Sequence, residues 1–231
     1  MKKNRKIPAI ILLLISFWFS DLLAEQYFPD DLNMPAREKQ RFVSGYSEFL
    51  RSMNEPPLWP LAKDRNRISY RFIYHPALRE PVILRLDRNA KGKWVLTVKQ
   101  ADYSPSDEDF RVNRKKPLAK EEVAKFQGLF NQLQFSELPS VGALEHEDIW
   151  FDPATWILEG VRNGRYHLIR RIVPNSTEWF SNPRDRGTPE DFKEKEGYPN
   201  IDRATSEEVN RKLVAVGEYL VKLSGLRLEL H

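Results

Sequence analysis

The sequence predicts an α+β protein in which an antiparallel sheet of about five strands packs its helices on one face. Three observations predict this class: short segments with alternating apolar and polar residues, an Asn-Gly turn signal, and longer segments with apolar residues at helical spacing. The 231 residues suffice for one domain with a buried core. The expected order of elements is α-β-β-β-α-β-β-α.

The first half of the chain predicts one helix and three strands. Apolar side chains at helical spacing predict a helix over 36–53, and Pro56 and Pro57 close it. Alternation of apolar and polar residues predicts half-buried strands over 67–74, 82–87 and 94–100. A basic run follows, which we interpret as a solvated strand end; it consists of Arg111, Arg114, Lys115 and Lys116.

The second half predicts two helices and a β-hairpin. Apolar spacing indicates a helix over 118–133, with Pro117 near its first turn. Two strands are expected over 155–161 and 165–173. A last helix is expected over 206–224, with Thr205 as its N-cap and Gly225 as its left-handed stop.

The hairpin carries the most specific signal in the chain. Asn163-Gly164 is typical of a two-residue type I′ turn, which fixes the register of both strands. Counting outward from the turn places Glu159 and His167 on opposite faces of the sheet, so they cannot form an acid–base dyad. The same count predicts three further relations: room for the His167 ring at Gly160, Tyr166 and Arg170 as diagonal neighbours of Glu159, and a Trp156–Arg171 cation–π pair.

The first 24 residues have the pattern of a secretory signal peptide: a basic start, an apolar stretch and small residues before a cleavage site. An uncleaved anchor is the alternative. We divide the chain into this signal (1–24), a polar segment with a helix (25–54) and a single α+β domain (55–231). The predicted location is therefore outside the cytoplasm, in the periplasm or the extracellular space, with no stable membrane span after cleavage.

Composition excludes several functional classes. The chain has no cysteine, which rules out thiol nucleophiles, thiolate zinc sites and iron–sulfur clusters. Removal of the signal lowers the 37 basic and 33 acidic residues to 33 and 32, because the segment holds four bases and one acid. A mature chain so close to neutral does not predict nucleic-acid binding. We expect neither a cofactor nor a metal site, since no catalytic or phosphate-binding motif is present and the four histidines are scattered.

One stretch resembles a known family. The motif Trp156-x-Leu158-Glu159-Gly160-x-x-x-Gly164-x-Tyr166-His167 is similar to the central motif of an uncharacterised family of exported bacterial proteins. Tyr70-Arg71, Pro81-Val82, Arg85 and the segment 219–226 also resemble that family, over residues 55–226 in all. The resemblance implies an exported α+β domain without an assigned activity. Arg170 and Ile172 replace an aspartate and a tryptophan of the family pattern.

Three functions remain open, and the sequence favours a non-catalytic binding or interaction module of the bacterial envelope over an enzyme. Its partner would be an unidentified envelope protein or a glycan. The first alternative is a hydrolase that uses His167 or Glu159. The second is a glycan or small-ligand binder with a tryptophan platform. The candidate binding residues are Trp156, Tyr166, Arg170, Arg171 and Trp179; two Trp-Phe pairs, at 150–151 and 179–180, lie in the long irregular segments 136–153 and 174–202.

Overall fold

The computed structural model describes residues 26–34, 36–76, 79–101, 110–140, 154–172, 203–228 and 230. The helices in this part are α1 (Ala36–Ser52), α2 (Lys120–Leu133) and α3 (Arg203–Ser224). The strands are β1 (Ile68–His75), β2 (Val82–Arg88), β3 (Trp94–Ala101), β4 (Phe110–Pro117), β5 (Thr155–Arg162) and β6 (Arg165–Ile172). The signal segment 1–24 and both Trp-Phe pairs lie outside the described residues.

The α+β class is confirmed. The six strands form one sheet in the order β4-β3-β2-β1-β5-β6, and all neighbours are antiparallel. The extra strand is β4, which contains the basic run. The sequence did not predict this strand because its apolar and polar residues alternate only weakly. It lies at an edge of the sheet, where most of its side chains are exposed and few need to be apolar. Pro117 therefore ends this strand and does not begin α2.

The helices cover both faces of the sheet, which corrects the prediction of a single covered face. Phe72, Leu84 and Leu158 point toward the core beneath α2 and α3. Ile73 and Ile157 alternate with them and pack against the apolar side of α1. The central strands are thus buried on both faces, and the polar side chains that marked their predicted solvent face lie under α1 and the segment after it.

The N-terminal segment forms part of this packing. Tyr27, Phe28 and Leu32 share one buried cluster with Phe42 of α1 and Ile83 of the sheet. The residues that follow the predicted signal are therefore folded onto the domain that the sequence places at 55–231.

The hairpin forms as predicted. Arg162 lies opposite Arg165, and the pairing continues through Gly160–His167 to Trp156–Arg171. Asn163 and Gly164 have φ values of 55° and 76°, as a type I′ turn requires. The end of α3 also matches, since Gly225 has a φ of 69°. The start of α3 does not match: the helix begins at Arg203, so Thr205 lies inside it and is not the N-cap.

Gly217 of α3 permits a close approach between that helix and the sheet. A Cβ atom there would lie 2.6 Å from Cζ3 of Trp156 and 3.1 Å from Cζ of Phe72. Both rings are packed in the core, so they cannot move aside cheaply.

We expect Gly217→Ala to lower the free energy of unfolding by about 1–3 kcal/mol, because overpacking outweighs the better helix propensity of alanine. Gly128→Ala in α2 is the matched control, since a Cβ at Gly128 meets no atom within 4 Å. That variant should keep or raise stability by up to about 1 kcal/mol. Urea unfolding of both variants checks the prediction, and equal midpoints would contradict it.

Candidate functional site

Glu159, a predicted catalytic candidate, is paired with a buried arginine. Arg71 of β1 lies directly opposite it in the sheet. The guanidinium donates to both carboxylate oxygens, with distances of 2.8 Å and 3.1 Å to Oε1 and 2.9 Å to Oε2. Both side chains have an exposed fraction of 0%. This two-pronged geometry is the strongest pairing available to a carboxylate and an arginine.

Tyr166 completes the surroundings of Glu159. Its hydroxyl donates to Oε2 of Glu159 at 3.2 Å, which confirms the predicted diagonal contact. Burial raises the pKa of Glu159, and the Arg71 guanidinium and the Tyr166 hydroxyl offset part of that rise. Burial and the neighbouring carboxylate raise the pKa of Tyr166 well above its ordinary value. The tyrosine therefore stays a neutral donor that holds the carboxylate.

Glu55 supplies the second carboxylate of the same cluster. Its Oε2 lies 2.8 Å from Nε of Arg85 and 3.5 Å from Nη1 of Arg71, and its Oε1 lies 2.8 Å from Nζ of Lys99. Arg71 and Arg85 face each other on neighbouring strands, so Glu55 separates two like charges. The Glu55 side chain is fully buried. One residue in the turn after α1 thus neutralises cations from three strands.

The end of α1 places Glu55 in this position. The helix stops at Ser52, and Asn54 adopts the left-handed conformation with a φ of 48°. The Glu55 amide then bonds back to the Leu50 carbonyl at 2.9 Å. The ammonium of Lys99 also donates to the carbonyls of Met53 and Asn54, at 2.8 Å and 2.7 Å. The strand β3 therefore binds both the side chain and the backbone of this turn.

Asp87 is the third carboxylate. It accepts a hydrogen bond from the Ser69 hydroxyl at 2.8 Å and contacts the Arg85 guanidinium. We call the whole set the charge cluster; it consists of Glu55, Arg71, Arg85, Asp87, Lys99 and Glu159. Its three cations and three carboxylates balance. Each carboxylate is bound by at least one cation, so the cluster connects β1, β2, β3 and β5 to the turn after α1.

His167, the other catalytic candidate, lies on the opposite face of the sheet, as predicted. Its ring meets Phe135 edge-on, with 4.9 Å between the ring centroids. The space at Gly160 is filled by Phe135 and Tyr70 and not by the imidazole: a Cβ at Gly160 would lie 2.8 Å and 2.9 Å from their ring carbons. Burial lowers the pKa of His167. This half-buried ring packs against Phe135 and does not form a dyad with Glu159.

The expected tryptophan platform at Trp156 is corrected by the structure. The indole is 1% exposed and packs edge-on against Phe72 and Tyr74, at centroid distances of 5.2 Å and 6.1 Å. Both faces of the ring therefore belong to the core. Trp179, the other predicted platform residue, lies outside the described residues.

The two predicted binding arginines make internal contacts. Arg171 is 4% exposed and donates to the carbonyls of Arg170 and Pro139. Arg170 forms an ion pair with Glu38 of α1, and it does not pair with Glu159. A second charge pair thus fixes α1 to the sheet, and neither arginine presents a free guanidinium to a ligand.

His75 lies between α1 and the end of β1. Its ring stacks on Phe49 at 5.1 Å with an angle of 12°, and Tyr46 meets it edge-on. Burial lowers the pKa of His75 below its ordinary value of 6.5. The folded protein therefore holds a neutral imidazole between α1 and the sheet.

This histidine predicts a loss of stability at acidic pH. As pH falls below about 6.5, the unfolded chain binds a proton at this site more readily than the folded protein does. The free energy of unfolding is therefore not reduced by His75 above that pH. It falls as the pH decreases from there toward the lowered pKa of His75 in the folded protein. We expect His75→Phe to reduce the stability difference between about pH 7.5 and about pH 5.5, as measured by urea unfolding. Identical differences in the variant and the parent would contradict this prediction.

The charge cluster is the part of this region that the sequence analysis missed. The sequence did show one trace of the cluster: each of three successive predicted strands carries a basic residue at a polar position. These residues are Arg71, Arg85 and Lys99. These positions were assigned to solvent because nothing in the local pattern shows that Glu55 returns to cover them.

Comparison with models of known protein families gives no match, and no curated protein matches the chain. Among the residues that the structure describes, no group of three or more His, Asp or Glu side chains is arranged to bind a metal ion. No helix in those residues combines the length and the apolar composition needed to cross a bilayer.

Proposed function

We propose that this protein is an exported component of the bacterial envelope that acts as a non-catalytic binding or interaction module. The observation that carries the proposal is the state of the two catalytic candidates. Glu159 is fully buried in a two-pronged pair with Arg71, and His167 packs against Phe135 on the other face. A hydrolase needs an acid or base that can reach a substrate. The buried, paired Glu159 offers none, and the half-buried His167 has no carboxylate of Glu159 beside it to act with.

The location outside the cytoplasm rests on the leader pattern in residues 1–24. Tyr27 and Phe28 are buried in the domain, which supports placing the end of the leader before them. The mature chain would therefore begin almost directly with its folded part. Near-neutral charge after cleavage supports a protein or glycan partner over a nucleic acid.

Crosslinking capture tests the proposal. The full chain 1–231 with a C-terminal tag is expressed in the native host, crosslinked and purified from the envelope, and mass spectrometry identifies the captured molecules. We expect one dominant envelope protein or glycan. Recovery of the folded protein in the cytoplasm, or capture of nothing above background from the envelope, would contradict the proposal.

A turnover screen separates this function from the enzymatic alternative. The purified chain and its His167→Gln variant are assayed with ester, peptide and glycoside substrates. We expect the same background rate for both proteins. A rate that depends on His167 would show that the hydrolase alternative is correct.

A further inference from the structure

The outer edge of β4 is a surface that the proposed function does not yet use. This strand ends the sheet, and none of the described residues pairs with its outer side. Five of its eight side chains are exposed. An edge of this kind presents backbone donors and acceptors that another strand can bind.

The register shows which backbone groups point outward. The Leu118 N–H donates to the Trp94 carbonyl at 3.0 Å. These two residues, at the start of β3 and just after β4, therefore form a hydrogen-bonded pair of the ladder. Hydrogen-bonded and non-bonded pairs alternate in an antiparallel ladder. Lys116 and Arg114 therefore bond inward to β3. The N–H and C=O groups of Asn113 and Lys115 point away from the sheet.

Two features limit this open edge. Near the start of the strand, the register shifts between Gln100 and Ala101, which leaves Arg111 as an extra residue without a partner in β3. At the other end, Pro117 has no N–H to donate. A segment added here would pair mainly with Asn113 and Lys115, so the edge fits a short extended segment and not a long strand.

The charges on this edge select the partner. Arg114 and Lys116 donate to the carbonyls of Ser224 and Leu223 at the end of α3. Both side chains therefore lie on the face of the sheet that α3 covers. Lys115 is exposed on the opposite face of the strand. A second copy paired antiparallel along this edge would bring two basic strands together, which is unfavourable. An extended segment with acidic side chains makes the opposite, favourable pairs.

We infer that the outer edge of β4 binds an extended, acidic segment of a partner protein by strand addition, centred on Asn113 and Lys115. The inference rests on the proposed binding function and gives it a place and a partner chemistry. Backbone bonds from Asn113 and Lys115 hold the segment, and Lys115 favours glutamate or aspartate beside it. Because these charges are exposed, binding is expected to weaken as salt increases.

A labelled peptide of alternating glutamate and valine with blocked ends is the probe, and its lysine counterpart is the control. Fluorescence anisotropy with residues 25–231 measures binding. We expect saturable binding of the glutamate peptide only. Lys115→Glu should weaken it about tenfold, since an attractive charge pair becomes repulsive. Lys91→Glu, an equal charge change in the exposed β2–β3 turn, should leave it unchanged.

Asn113→Pro separates strand addition from simple charge attraction. Its N–H points outward, so proline removes a donor to the partner while the bonds to β3 remain. We expect this variant to keep the unfolding midpoint of the parent within a small margin and to lose binding by about tenfold or more. Hydrogen exchange should show the Asn113 and Lys115 amides protected only when the glutamate peptide is bound.

Equal binding of both peptides, or full binding by Asn113→Pro, would overturn the inference. Self-association of the free protein that Asn113→Pro abolishes would also overturn it, because the occupant would then be a second copy. Each of these three results leaves the proposed function standing if crosslinking still captures an envelope partner. Failure of that capture, with peptide binding intact, would count against the proposed function alone.

Discussion

Replacing Glu55 with alanine is expected to lower the free energy of unfolding by about 3–5 kcal/mol. The carboxylate is fully buried and contacts Arg71, Arg85 and Lys99. Its removal leaves two facing arginines without the charge between them and frees Lys99 from its only carboxylate in the cluster. Leaving a buried charge uncompensated costs far more than the loss of a surface ion pair.

Glu80→Ala is the matched control. Glu80 also pairs with an arginine, Arg111, but that arginine is 61% exposed. The loss there should be within about 1 kcal/mol. Glu55→Gln, which keeps the shape of the side chain, should resemble Glu55→Ala more than the control if charge is what matters. Urea unfolding of the three variants decides the point, and similar losses for Glu55→Ala and Glu80→Ala would contradict it.

Breaking the Arg71–Glu159 pair is expected to have an effect of similar size. Arg71→Met leaves Glu159 buried with only the Tyr166 hydroxyl as a described side-chain donor, and Glu159→Met leaves Arg71 with Glu55 and the Pro56 carbonyl. Each single change should lower the free energy of unfolding by about 3–5 kcal/mol. Arg71→Met should cost more, because it also removes a contact of Glu55.

The double variant tests whether the two residues act as a pair. Two methionines replace the charges with apolar groups, so the combined loss should be smaller than the sum of the single losses by about 2 kcal/mol or more. Chemical denaturation of the four proteins provides this cycle. Additive losses would show that the pair is not coupled and would remove the structural role assigned to it.

Local sequence signals predicted the parts of the fold that depend on local geometry. Asn163-Gly164 determined the hairpin turn, and from it the register to Trp156–Arg171 and the opposite faces of Glu159 and His167 followed by counting. The helix over 36–53 and the strands β1 to β3 also followed from periodicity, to within one or two residues.

The features that were missed depend on contacts distant in sequence. The alternation in β1 and β2 separates apolar from polar positions. It does not show that α1 covers the face of the sheet on which the polar side chains lie. Glu55 is 16 positions before Arg71 in the chain and 30 before Arg85, and only the left-handed turn at Asn54 brings it over the sheet. The strand β4 was missed for a different reason: an exposed edge strand needs no apolar face.

The family resemblance gains a physical interpretation from these contacts. Arg71, Arg85, Glu159 and Tyr166 all belong to the motifs that carry the resemblance, and the structure brings them together around Glu55. They bind one another and the turn after α1. These four residues of the motifs therefore help to hold the turn after α1 on the sheet.

The central claim is that the charge cluster holds the segment before it, α1 included, on the sheet. Hydrogen exchange with mass spectrometry on the parent and on Glu55→Gln tests it most directly. We predict that amides of α1 in the parent exchange as slowly as those of β1 and β5, and that Glu55→Gln speeds exchange in α1 more than in β5 and β6. Fast exchange of α1 in the parent, or unchanged exchange in Glu55→Gln, would contradict the claim.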